Sequence, residues 1–267
     1  MKMKTPLPKV IIAVICIAAG LHQGNILAQA GLLLYAATGF AGSEGELYIL
    51  DPVDGSVITD VGPLNDSAGN NYGLTGLRYD PSTGRLYGIT GSSLTAPNSL
   101  VVVNPSNAKV TYVGGPFGSR LSDVAIDPLT YIMYAISGSS KYFYTVDKRT
   151  GVATKTGNTG LLPHRGGGFT ADALGVLYGT NDRTLFTYDK ITGDATPVGD
   201  THLPFFVDAL AFNAEGVLYG IEGGGTTGPA ASNRQRWLVV IDTVTGLGVE
   251  LGETVGDLNA LAFVPAL

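Results

Sequence analysis

Hydrophobic positions along this chain fall in short runs, β-branched or aromatic, bounded by Gly, Pro, Asn and Asp. One order of runs recurs. An apolar strand ends in Asp or Asn, a tight turn leads into a strand opening on Leu-Tyr, and after a loop a further strand enters an Asp-x-x-x-Gly turn. The clearest copies are Gly76-Leu77-Arg78-Tyr79-Asp80-Pro81-Ser82-Thr83-Gly84-Arg85-Leu86-Tyr87-Gly88-Ile89 and Ala209-Leu210-Ala211-Phe212-Asn213-Ala214-Glu215-Gly216-Val217-Leu218-Tyr219-Gly220-Ile221. Helix signals are scarce, and the 38 glycines interrupt every long run. A repeat of roughly 40 to 53 residues built from four short strands predicts a β-propeller.

With the strands labelled A to D from the channel outward, one blade is expected at 74–80, 84–90, 99–104 and 108–114, and the next at 122–127, 131–137, 142–147 and 152–157. A third takes 168–172, 175–180, 184–189 and 194–199, and a fourth 208–213, 216–222, 237–242 and 247–252. Three N-terminal strands then remain, at 32–37, 47–51 and 57–61, with one C-terminal A strand at 258–263. Joining them makes a fifth blade and leaves no open sheet edge. The expectation is an all-β, five-bladed propeller of four-stranded antiparallel blades, one domain over 31–267.

The turns agree with this frame. Asp51 to Gly55, Asp80 to Gly84, Asp147 to Gly151, Asp189 to Gly193 and Asp242 to Gly246 all read Asp-x-x-x-Gly. Asp caps a type I turn and Gly takes the positive-φ position that returns the chain. These aspartates lack the alternating carboxylates of an EF-hand loop, so turn capping is preferred to calcium binding. Tyr35, Tyr87, Tyr134, Tyr178 and Tyr219 recur at one strand position and suit packing between blades.

The first thirty residues read as a cleaved secretory signal peptide. Lys2, Lys4 and Lys9 form a basic start, Val10 to Leu21 an apolar core, and Ala28-Gln29-Ala30 a cleavage site. The mature chain is expected to begin at Gly31 and to reside in the periplasm or outside the cell. Cleavage removes three lysines and no acid, leaving 13 basic against 22 acidic residues, a net charge of −9. That surface argues against nucleic acid as a partner. The lone Cys16 leaves with the signal, so no disulfide or thiolate site is expected. No second long apolar run follows, and membrane insertion of the mature chain is not expected.

The Leu-Tyr-Gly-Ile strand after an Asp-Pro-x-x-Gly turn, followed by Val-x-Asp-x-x-Thr-Gly, resembles the broad superfamily of bacterial secreted propellers with NHL, YVTN and WD40-like repeats. The resemblance covers 32–264 and lies in structural residues. It implies the fold and hardly constrains the function; related folds include noncatalytic scaffolds, sugar binders, lactonases, a metal-dependent lyase and quinone-cofactor dehydrogenases. None of their active-site motifs maps onto this chain, and the sequence names no cofactor.

Candidate chemistry lies where the copies differ. The long loops, 62–74, 91–98, 114–121, 157–167, 199–207 and 222–236, all fall on the face that holds the D-to-A and B-to-C connections, where binding usually lives. His164 and Arg165 stand in one D-to-A loop and His202 in the next. Asp123, Asp208 and Asn259 lie at A-strand entries, with Arg120 just before the first. Convergence of these groups would supply a general base, carboxylates and arginines, the outline of a metal-assisted hydrolase or lyase at the channel mouth. The plainer reading makes the histidines polar loop residues and the acids strand caps.

Arg234, Arg236 and Trp237 combine residue types favoured at interfaces. Gly223 to Gly228 matches G-x-G-x-x-G, but no βαβ unit surrounds it, so no dinucleotide is implied. There is no G-x-S-x-G elbow, H-E-x-x-H, P-loop or cysteine nucleophile. The leading expectation is a secreted noncatalytic propeller that binds a protein, glycan or small molecule through its long-loop face. The metal-assisted enzyme is the alternative.

Overall fold

The computed structural model describes residues 31–39, 44–91, 95–162, 167–223 and 235–266. They form twenty strands in five four-stranded sheets. Strands are numbered from the N-terminus and blades from the first sheet whose four strands are consecutive in the chain. Blade 1 is β4 (Leu74–Asp80), β5 (Arg85–Thr90), β6 (Leu100–Val103) and β7 (Val110–Gly114). Blade 2 is β8 (Leu121–Ile126), β9 (Met133–Ser137), β10 (Tyr142–Val146) and β11 (Ala153–Asn158). Blade 3 is β12 (Phe169–Ala171), β13 (Leu177–Asn181), β14 (Thr184–Tyr188) and β15 (Ala195–Asp200), and blade 4 is β16 (Phe206–Phe212), β17 (Leu218–Gly223), β18 (Arg236–Ile241) and β19 (Gly248–Thr254).

Blade 5 joins the ends of the chain, in the order β20 (Leu258–Pro265), β1 (Leu32–Thr38), β2 (Glu46–Leu50), β3 (Val57–Pro63). Its register runs from Leu32 opposite Pro265 to Thr38 opposite Leu258. The inner strands follow one another around the axis as β20, β4, β8, β12, β16 and back to β20, which closes the ring. The five-bladed architecture expected from the repeat is therefore observed, down to the split blade. Residues 1–30, which carry the expected signal peptide, lie outside the described residues. Among the described residues no helix is long and apolar enough to cross a membrane.

The three inner strands of each blade are largely buried on both faces, which explains their near-continuous apolar runs, whereas the outermost strands such as β3 and β11 are half-buried or exposed and more polar. In β5, Leu86 enters the cluster shared with blade 5, and the next residue, Tyr87, enters the cluster shared with blade 2. Five such clusters fill the five gaps between blades, and each gap receives one of the recurring tyrosines. Tyr219 meets Phe263 edge to face at 5.3 Å, and Tyr178 meets Phe212 likewise at 5.4 Å.

The turns are closed by their own aspartates. Asp189 Oδ1 accepts the N–H groups of Ile191 and Thr192 at 2.8 and 2.7 Å, and Gly193 turns the chain at φ +81°. Asp242 does the same for Val244 and Thr245. Two further aspartates, Asp80 and Asp127, are buried at turns and are reached by Lys148 and Lys190 of the following blade. The start of β9 falls later than the predicted 131, because the Asp127 turn runs on through Tyr131 at φ +57°.

Candidate functional site

The axis of the ring is occupied by Arg78. It projects from β4, and its Nε donates to the carbonyl of Val124 on β8 at 3.0 Å. Its Nη2 donates to the carbonyls of Phe169 on β12 at 2.7 Å and Leu210 on β16 at 2.9 Å. One guanidinium thus ties four inner strands together, and the side chain is buried. Its counter-ion is Asp123, 3.5 Å away and fully buried. Asp123 also accepts the N–H groups of Val124 and Phe169 at 2.7 and 2.9 Å. Burial pushes its carboxyl up, against the pull of Arg78 and those amides. Asp123 was expected at the channel mouth; it lies inside the ring, as part of a plug.

A second ion pair sits at the end of blade 4 nearer the long loops. Arg236 Nη2 stands 3.7 Å from Asp208 Oδ2, while Nε donates to the carbonyl of Leu258 at 2.9 Å and Nη1 to that of Gln235 at 3.1 Å. Arg236 is 1% exposed, so this arginine joins blade 4 to the inner strand of blade 5 instead of presenting its charge outward. Burial raises Asp208 to about 6, opposed by Arg236 and by the exposed Arg120 of blade 2. Arg120 and Asp208 therefore share the mouth of the ring.

The remaining expected residues divide. His202 is exposed, at φ +56°; its N–H donates to Asp200 Oδ1 at 2.7 Å, and its ring Nδ1 lies 3.9 Å from the same carboxylate. Asn259 is half-buried on β20. Trp237 is half-buried and stacks on Phe205 with 5.7 Å between ring centroids and 17° between planes. His164, Arg165 and Arg234 lie outside the described residues.

One group escaped the sequence reading. Glu222, the residue after Ile221 in the Leu-Tyr strand of blade 4, is fully buried. Its Oε1 accepts the N–H of Phe205 at 2.6 Å, and its Oε2 has no hydrogen-bond donor. Burial raises the carboxyl to about 7; Glu250 on β19 raises it further and the Phe205 N–H opposes. A glutamate at a position where the other blades carry Thr38, Thr90, Ser137 or Asn181 is the only signal that could have marked it. Among the described residues no group of three His, Cys, Asp or Glu side chains is placed to hold a metal ion.

No protein-family model matches this chain, and no curated protein matches it. Solved structures share the fold at low identity. A chain from a nidogen/laminin complex is similar over 88% of this chain and 99% of its own, at 13% identity and a TM-score of 0.54. A protein of unknown function from Bacteroides caccae gives 10% identity and a TM-score of 0.52 over 88% of this chain and 99% of its own. Another of unknown function, from Bacteroides thetaiotaomicron, gives 15% identity and a TM-score of 0.51 over 80% of this chain and 57% of its own. At these identities the likeness establishes the propeller fold alone.

Proposed function

We propose that this chain is an exported, noncatalytic propeller that recognises a protein, glycan or small molecule on its long-loop face. The observation that carries the reading is the Phe205–Trp237 stack, half-exposed at the blade 3/blade 4 rim. Stacked aromatic surface with polar neighbours suits a sugar ring or an apolar side chain of a partner. His202 and Arg120 supply exposed polar groups on the same face. The buried acids of the inner strands support binding over catalysis, because Asp123 and Asp208 are each committed to an arginine that also ties inner strands together.

The hydrolase or lyase alternative draws on a different observation: Asp208 and Glu222 are held near neutrality, where a general acid is useful. It requires a base beside them, and the described histidine, His202, stands with Asp200.

A glycan and protein array probed with the wild type and with a Trp237→Ala/Phe205→Ala variant separates the readings. Binding lost in the variant, with no turnover of the bound ligand, supports recognition at this rim. Ligands bound equally by both proteins would place the site elsewhere. Ligand conversion abolished by Asp208→Asn would favour the enzyme. N-terminal sequencing of the exported product, expected to read Gly31-Leu32-Leu33, tests the export.

A further inference from the structure

The opposite side of the ring holds a cleft that none of the groups above occupies. At the turn end of blade 4, residues 215–218 and 240–244 enclose a cavity of about 340 Å³. Its inner part is aliphatic, with Leu218, Val240 and Ile241 buried, and Glu215 and Asp242 bring carboxylates to it.

Earlier blades show what the fold itself places at such turns. Lys148, in the C-to-D turn of blade 2, reaches back to the buried Asp80 of blade 1 at 2.5 Å. Lys190 of blade 3 reaches the buried Asp127 of blade 2 at 2.8 Å. These lysines are only 17% and 33% exposed, so each lays an aliphatic stem against the preceding blade and sets its ammonium on an acid. At blade 4 the lysine is replaced: Thr243, which follows Asp242, stands where Lys148 follows Asp147 and Lys190 follows Asp189. The acid of the preceding blade is kept as Asp172, whose Oδ1 accepts the N–H groups of Leu174 and Val176 at 2.9 and 2.8 Å. A Cβ added at Gly175 of blade 3 would lie 3.0 Å from Lys190 Nζ, whereas one added at the matching Gly216 of blade 4 would meet nothing within 4 Å. The cleft opens where the internal lysine is missing. No Lys or Arg occurs in 213–217 or 240–246, whereas Glu215 and Asp242 do.

We propose that this cleft binds a primary alkylammonium group, either a lysine side chain of a partner polypeptide or a free amine of the same shape. The apolar stem lies along Val217 and Val240, and the ammonium meets Glu215 and Asp242. The desolvated aliphatic floor rewards the stem, and the carboxylates select the charge.

The test titrates the full chain with n-pentylammonium chloride, with 1-pentanol as its neutral match and with Nα-acetyl-lysine methylamide, followed by amide NMR. Pentylammonium is expected to shift residues 215–218 and 240–244 saturably and to bind at least about tenfold tighter than pentanol. Glu215→Gln/Asp242→Asn is expected to lose about tenfold in affinity. Thr243→Lys, which restores the internal lysine opposite Asp172 and keeps both rim carboxylates, is expected to block the cleft. A response to both cations assigns the site to lysine side chains, and a response to pentylammonium alone assigns it to free amines. Equal binding of pentanol and pentylammonium, a comparison that needs no variant, would overturn the proposal, as would unsaturable shifts spread over the acidic surface.

Discussion

Glu222 couples one side chain to the pH response of the whole rim. Its carboxyl ordinarily titrates near 4.5 and is raised to about 7 in the fold, so the fold disfavours the charged form. The penalty is absent below pH 4.5, grows as pH rises, and is complete above 7; stability is lost in that window, by about 3 kcal/mol at most. Glu222→Gln keeps an oxygen for the Phe205 N–H and offers an amide to Glu250. Thermal melts at pH 8 should show the variant more stable by about 1–2 kcal/mol, an advantage that vanishes at pH 4.5. An equal gain at both pH values would show that charge is not the cause. Arg78 makes the converse case. Arg78→Met strands Asp123 and three carbonyls in the ring axis and should cost about 3–5 kcal/mol, of which adding Asp123→Leu should recover a part, measured by urea unfolding. Neither role was legible beforehand. Arg78 was visible only as one letter of the repeat, because what it does depends on three carbonyls contributed by three other blades. Glu222 depends on a loop amide seventeen positions earlier in the chain.

At the level of strands and turns the sequence is far more transparent, because each turn closes on its own aspartate and glycine and needs no distant partner. The Leu-Tyr strands are equally local in pattern, and the structure adds only that each tyrosine fills a different gap. A further recurring signal lies in the outer strands. The outer strands carry a glycine near their ends, at Gly114, Gly157, Gly199 and Gly252, and at each the added Cβ would lie 1.9–2.1 Å from a carbonyl oxygen in the next blade's turn. These glycines are therefore docking points between blades. Gly157→Ala forces Thr192 away and should destabilise the protein by about 2 kcal/mol or more. Thr154→Ala, an exposed position on the same strand, should stay within about 0.5 kcal/mol. Chemical denaturation compares the two; equal costs would show that the next blade yields freely.

Closure is the property of the whole molecule that the blade-5 split makes testable. β1, the second strand of that blade, pairs with β20 along its full length, so the N-terminal strands complete a sheet whose inner strand comes from the other end of the chain. β20 also faces both β16 and β4, and its loss would open the ring at the axis and expose two neighbouring inner strands. Ala266 N–H meets the carbonyl of Gly31 at 2.5 Å, so the ends can be joined by a short linker. A permuted chain of 31–266, joined there and reopened in the exposed 66–70 loop, keeps every strand pairing. It should melt within a few degrees of the parent and retain the tyrosine near-ultraviolet signal of packed gaps. A chain ending at Asp257 should lose that signal and aggregate, since its fifth sheet lacks the strand that faces the axis. If the truncated chain instead melts like the permutant, the ring is held by blade-to-blade packing alone, and the pairing of the two ends contributes nothing to its cooperativity.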